Sequence, residues 1–289
     1  MNQRFLVQQY PDQAAVDGAY NPDLAAVDLA ASRAHIAAQG EKARATLEHR
    51  LNVAYGPTLE ETLDIFPAAQ PGSPVLVFLH GGYWRANHAR HFHGVALGPV
   101  AAGFTTVVVN YALCPFVTLD EIVRQTRASL VWIRRHIAQY HGDGERVYVS
   151  GHSAGGQLTA MSLLTPWQRD YGLHDHWLAG GLAISGLYEL AALRYSYLQP
   201  LIQFDDGIIE RNSPARRAVP RHAPLALVYG ALEQRNFADQ ASLMAARWQA
   251  VGNRCTIEAH AQCDHFSILN GFDSADAALT RALKALAKP

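Results

Sequence analysis

The stretch Val147-Tyr148-Val149-Ser150-Gly151-His152-Ser153-Ala154-Gly155-Gly156 constrains what this chain can fold into more than any other. Apolar, β-branched and aromatic residues run straight into Gly-x-Ser-x-Gly, and helix formers from Gln157 to Met161 follow. That order reads as strand, sharp turn and helix. A serine at the tip of so tight a turn needs strained backbone angles, and side-chain-free Gly151 and Gly155 let strand and helix pack close on either side. Short Gly-x-Ser-x-Gly strings also arise by chance, so the weight lies on the flanking elements. They predict that Ser153 projects its hydroxyl clear of a sheet.

The surrounding chain supplies such a sheet. Residues 74–79 form a continuous apolar strand ending in His80-Gly81-Gly82-Tyr83-Trp84, and a helix over 88–101 and a strand over 105–110 follow. Apolar Ile122, Leu130, Ile133 and Ile137 fall close to one helical face of 119–140. After the Ser153 strand come strands at 178–185, 223–229 and 256–259 and a closing helix at 274–287. Such alternation predicts an α/β class with a mostly parallel central sheet, helices on both faces, and residues 59–66 as an early antiparallel strand. The 289 residues are read as one domain. Residues 1–55 are an alanine-rich helical arm over it, with a turn and cap at Tyr20-Asn21. Residues 186–222, poor in periodicity and rich in aromatics, are a small cap insertion over the carboxyl edge of the sheet.

Composition narrows the function. A formal net charge of -1 with 17% charged residues gives no basic stripe for nucleic acid. No run approaches a membrane span and no signal-peptide core follows Met1, so the expectation is no membrane partner and a cytoplasmic protein. Cys114, Cys255 and Cys263 are an odd number at no metal-ligand spacing, which argues against a disulfide framework. The alternating histidines His91/His93 and His174/His176 lack a carboxylate partner pattern, so neither metal nor cofactor is expected.

A serine becomes a useful nucleophile when a histidine takes its proton and a carboxylate fixes that histidine's tautomer. His265, after the last short strand, is the base by position; His260 on the same loop falls within the strand pattern. The acid should follow the strand at 223–229, where Glu233 is the acidic residue of the loop. Asp264 adjoins His265 too closely for a good side-chain bond, and Asp205 and Asp206 fall in the cap. Amide donors for an oxyanion hole are expected from Ala154 and from Gly81, Gly82 and Tyr83.

His80-Gly81-Gly82-Tyr83-Trp84 followed by Gly151-His152-Ser153-Ala154-Gly155 resembles the α/β-hydrolase fold and, within it, the kynurenine formamidase (arylformamidase) group, whose oxyanion motif reads His-Gly-Gly-x-Trp. Tyr83, where esterases of the hormone-sensitive-lipase type carry a third glycine, favours that group. Ile184 to Leu190, Asn212-Ser213-Pro214 and Asp264-His265-Phe266 also look like its motifs, over about residues 55 to 289. Glu233 departs from the aspartate of many members. The resemblance implies hydrolysis of N-formyl-L-kynurenine to L-kynurenine and formate, with the partner a small aromatic formamide or ester and a homodimer left open. Trp84, Tyr188, Tyr195 and Phe204 are the expected substrate contacts, with Tyr197 beside them, and Arg85, Arg194 or Asn21 would meet the substrate carboxylate. A carboxylesterase with the same triad is the alternative, and a non-catalytic binding protein of the fold the remote one.

Overall fold

The structure is a computed structural model and describes residues 10–221 and 223–288. The first nine residues of the expected arm and the last of the expected cap lie outside these. The centre is an eight-stranded sheet: β1 (Arg50–Ala54), β2 (Thr62–Phe66), β3 (Ser73–Leu79), β4 (Thr105–Val109), β5 (Gly142–His152), β6 (Leu178–Ile184), β7 (Leu225–Gly230) and β8 (Cys255–His260). Its spatial order is β1-β2-β4-β3-β5-β6-β7-β8. β2 is antiparallel to both β1 and β4, and β3 to β8 run parallel.

Strand composition explains the layering. On β3, Val75, Val77 and Leu79 enter one apolar core and Leu76 and Phe78 the other, so a period-2 element buried on both faces reads as a continuous apolar run. The helices are α1 (Gln13–Tyr20), α2 (Leu29–Thr46), α3 (Leu97–Ala101), α4 (Leu119–His136), α5 (Ala154–Leu164), α6 (Trp167–Tyr171), α7 (Gln199–Ile202), α8 (Asp206–Asn212), α9 (Arg235–Ala250) and α10 (Ala278–Leu286). α4, α5 and α9 supply Ile122, Leu158 and Met244 to the first core; α10 supplies Leu279 and Leu283 to the second. Every residue of α5 is buried, and its polar Gln157, Thr159 and Ser162 are each hydrogen-bonded.

Three expectations change. The helix over 88–101 is a 3-10 segment, Ala89–Ala96, followed by short α3, with Gly98 and Pro99 inside the latter. Residues 50–54 pair as an edge strand instead of continuing the helical arm. Asn21 caps a 3-10 turn, Pro22–Leu24, whereas α2 begins after Asp28, whose carboxylate accepts from the amide of Ala31. No helix among the described residues is long and apolar enough to cross a membrane.

Candidate active site

Strand order gathers the chemistry. β3, β5, β6, β7 and β8 are consecutive neighbours, so the loops leaving their carboxyl ends are neighbours too. They carry His80 to Trp84, Ser153, Ser185, Glu233 and His265 respectively.

Ser153 occupies the turn between β5 and α5 with φ 57° and ψ -116°, a conformation that L side chains rarely adopt. Its amide donates to the Ile184 carbonyl at 2.8 Å. The closeness of the turn is measurable at its glycines. A Cβ on Gly155 would stand 1.9 Å from the Leu79 carbonyl oxygen, and one on Gly151 would stand 2.2 Å from that of Gly155. Only glycine permits either approach.

His265 is held by one strong hydrogen bond and by ring packing. Its Nδ1 donates to Glu233 Oε2 at 2.6 Å, and both side chains are almost wholly buried. The rings of Phe237 and His152 both pack against the imidazole, each with centroids 4.5 Å away. His152 Nε2 donates to the His265 carbonyl at 2.7 Å. Burial, followed by the neighbouring His265, pulls the His152 pKa well below its ordinary value, so it packs as a neutral ring. With Nδ1 committed to Glu233, the nitrogen of His265 left to accept a proton is Nε2. Glu233 Oε1 accepts from the Gly230 amide at 2.6 Å and from Ser185 Oγ at 2.5 Å.

Asp264 does different work. Its Oδ1 accepts from the Phe266 amide, the Ser267 amide and Ser267 Oγ, and its Oδ2 from the Val27 amide at 2.8 Å. Burial pushes its pKa up, but these hydrogen bonds outweigh it and hold the carboxyl below the usual range. It braces the histidine loop and ties the N-terminal arm to it. Asp205 caps α8 through the Ile208 amide, Asp206 pairs with Arg194, and His260 ends β8 facing Glu258.

The loop after β3 has three successive residues in the left-handed region: Gly82 at φ 118°, Tyr83 at 49° and Trp84 at 55°. Packing holds this strain. Tyr83 Oη donates to the Tyr20 carbonyl, and Trp84 Nε1 donates to Gln157 Oε1 at 3.1 Å. The Gly81 carbonyl accepts from His80 Nδ1 at 2.9 Å and Asn87 Nδ2 at 3.2 Å. In a trans peptide the Gly82 N–H points opposite to that carbonyl, so these two bonds fix its direction. Burial lowers the His80 pKa to about 4, keeping its imidazole, stacked on Tyr111 at 4.2 Å, uncharged. A Cβ on Gly81 would lie 3.1 Å from Ser153 Cβ, which brings the loop against the serine.

Ser153, His265, Gly81, Gly82 and Tyr83 line one cavity of about 590 Å³. The remaining lining residues correct the expectation of a roof at 186–222. Asn21, Pro22 and Asp23 line the cavity together with α2, whereas the expected cap contributes Tyr197. None of Trp84, Tyr188, Tyr195 and Phe204 lines it. Trp84, Tyr188 and Phe204 are packed in the apolar core, because burying three large rings outweighs presenting them to water, and Tyr195 lies 37% exposed at the surface. Arg85 and Asn21 line the cavity; Arg194 does not, being bound to Asp206. The Arg85 guanidinium lies 5.7 Å from the Tyr197 ring centroid. The three cysteines are free thiols, with Cys114 pushed up to about 11 by burial.

This strand order, with a strained serine turn at the sheet's carboxyl edge, is the α/β-hydrolase fold, and the chain is a hydrolase of that fold. The family model described as BD-FAE matches residues 63–175. A kynurenine formamidase of Danio rerio is 27% identical over 274 residues, 91% of each chain. One of Salmo salar is 28% identical over 252 residues, 84% of this chain and 83% of that one. Among solved structures, a protein provisionally named a thioesterase from Silicibacter sp. tm1040 superposes with a TM-score of 0.80 at 25% identity, covering 94% of this chain and 98% of its own. Within the fold, the chain is formamidase-like.

Proposed function

We propose that the chain is a kynurenine formamidase that hydrolyses N-formyl-L-kynurenine through an acyl-enzyme on Ser153. The observation carrying this is the buried Glu233–His265 pair, with His265 and Ser153 opening onto one cavity lined also by Gly81, Gly82 and Tyr83. His265 Nε2 takes the Ser153 proton as Oγ attacks the formyl carbon, and Glu233 stabilises the imidazolium. The amides of Gly82, Tyr83 and Ala154 receive the negative charge on the tetrahedral oxygen, with Gly81 shaping the loop. The N-terminus of α5 adds its partial positive charge there. His265 then protonates the departing aniline nitrogen, and water releases formate by the same steps.

Similarity over most of the chain to two kynurenine formamidases supports the substrate. The cavity lining is compatible with it: Tyr83, beside Gly81 and Gly82, would narrow the acyl side to suit a formyl hydrogen, and Arg85 and Asn21 would offer a cation and an amide to the amino-acid carboxylate. The similarity to a protein named as a thioesterase favours the second reading, a hydrolase of short acyl esters or thioesters. A p-nitrophenyl ester series separates the two. The formamidase reading expects turnover to fall steeply from acetyl to butyryl, whereas a flat or rising series supports the esterase. In either case Ser153→Ala abolishes turnover and organophosphate labelling, and residual wild-type activity in that variant rejects the mechanism.

A further inference from the structure

Ser185 immediately follows β6 and has φ 49°, in the left-handed region where glycine would sit without strain. Its amide donates to the Val228 carbonyl at 2.7 Å, anchoring the backbone without help from the side chain. The hydroxyl is buried and donates to Glu233 Oε1 at 2.5 Å. The turn thus retains a side chain where its geometry favours none, and that side chain meets the carboxylate paired with His265.

We propose that Ser185 is a positioning residue for the hydrolytic reaction, acting through Glu233; this rests on the Ser153–His265–Glu233 reading. A glutamate side chain has one more rotatable bond than an aspartate, so its carboxylate plane needs an extra restraint. The Gly230 amide holds Oε1 from one direction at 2.6 Å and Ser185 Oγ from another. Two donors on one oxygen leave Oε2 directed at His265 Nδ1. A charge-assisted donor also spreads the carboxylate charge toward Oε1. Without it, more charge faces the imidazole and the imidazolium form is favoured.

The test compares wild type, Ser185→Gly, Ser185→Ala and Ser153→Ala with p-nitrophenyl acetate, a substrate both functional readings accept. kcat, KM and the pH profile of kcat/KM are measured, with protein quantified by its folded fraction from circular dichroism. Both Ser185 variants should lose about ten- to a hundredfold in kcat, with KM within about twofold. The acid limb of their profiles should move up by ~0.5–1 pH unit. Ser185→Gly keeps the turn and removes its strain, so a loss shared with Ser185→Ala belongs to the hydroxyl. Wild-type kcat in Ser185→Gly overturns the proposal. So does a loss of kcat with an unmoved acid limb, which is what a merely structural serine would give. Turnover persisting in Ser153→Ala instead overturns the functional reading on which the proposal rests.

Discussion

Replacing Glu233 by glutamine asks whether the buried pair with His265 sets a tautomer. In the native site Oε1 faces two donors, the Gly230 amide and Ser185 Oγ, while Oε2 faces His265 Nδ1. Glutamine has one oxygen and one NH₂ group. The two donors at the Oε1 position claim the oxygen, since an NH₂ there would leave donor facing donor in a buried site. The NH₂ therefore faces His265, whose Nδ1 must become the acceptor. The imidazole proton moves to Nε2, and His265 can no longer take the Ser153 proton. Elsewhere, the corresponding amide replacement of a triad carboxylate lowers turnover by about 10⁴, which corresponds to ~5 kcal/mol of transition-state stabilisation. The assay is kcat and kcat/KM on N-formyl-L-kynurenine beside thermal melting, since the amide keeps the size of the side chain. A loss below about tenfold in a folded variant would refute the tautomer argument and with it Glu233 as the acid.

Other perturbations probe the rest of the site. Gly82→Ala places a Cβ 2.3 Å from the Ala86 carbonyl oxygen at φ 118°, so the loop must shift and kcat should fall by about 10²–10³, as for loss of an oxyanion donor; unchanged kcat would remove Gly82 from the hole. Arg85→Leu should lower the kcat/KM ratio of N-formylkynurenine to p-nitrophenyl acetate by about tenfold, and an unchanged ratio would show that the carboxylate is bound elsewhere. Burial depresses the His80 pKa from 6.5 to about 4, so the unfolded chain binds that proton more readily. Stability is then full above pH 6.5 and falls by ~3 kcal/mol as the pH drops to about 4, with His152 acting in the same direction. Thermal midpoints across that range should decline, and a flat series would contradict neutral burial of these rings.

Much of the fold is visible in the chain because continuous apolar runs mark strands buried on both faces, as at residues 75–79 and 147–149. The meeting of His265 with Glu233 follows from loops after adjacent strands, so chain order alone brings the two together. Ser185 carries no such signature. A lone serine after a strand has no pattern, and its contact with Glu233 depends on a left-handed turn and the register of two strands. The residues around the cavity are hidden in the sequence for a related reason. Aromatics at 186–222 look like a binding surface, but whether a ring faces a cavity or the core is decided by packing, and Tyr188 and Phe204 are in the core. The signal at Asn21-Pro22-Asp23 was a local turn, and that turn is what lines the cavity.

Formamide specificity is tested most directly by kcat/KM for N-formyl-L-kynurenine measured beside a panel of aryl esters. Release of kynurenine and formate is expected, with a kcat/KM above that of every ester in the panel. Ester turnover with no detectable kynurenine would contradict a formamidase.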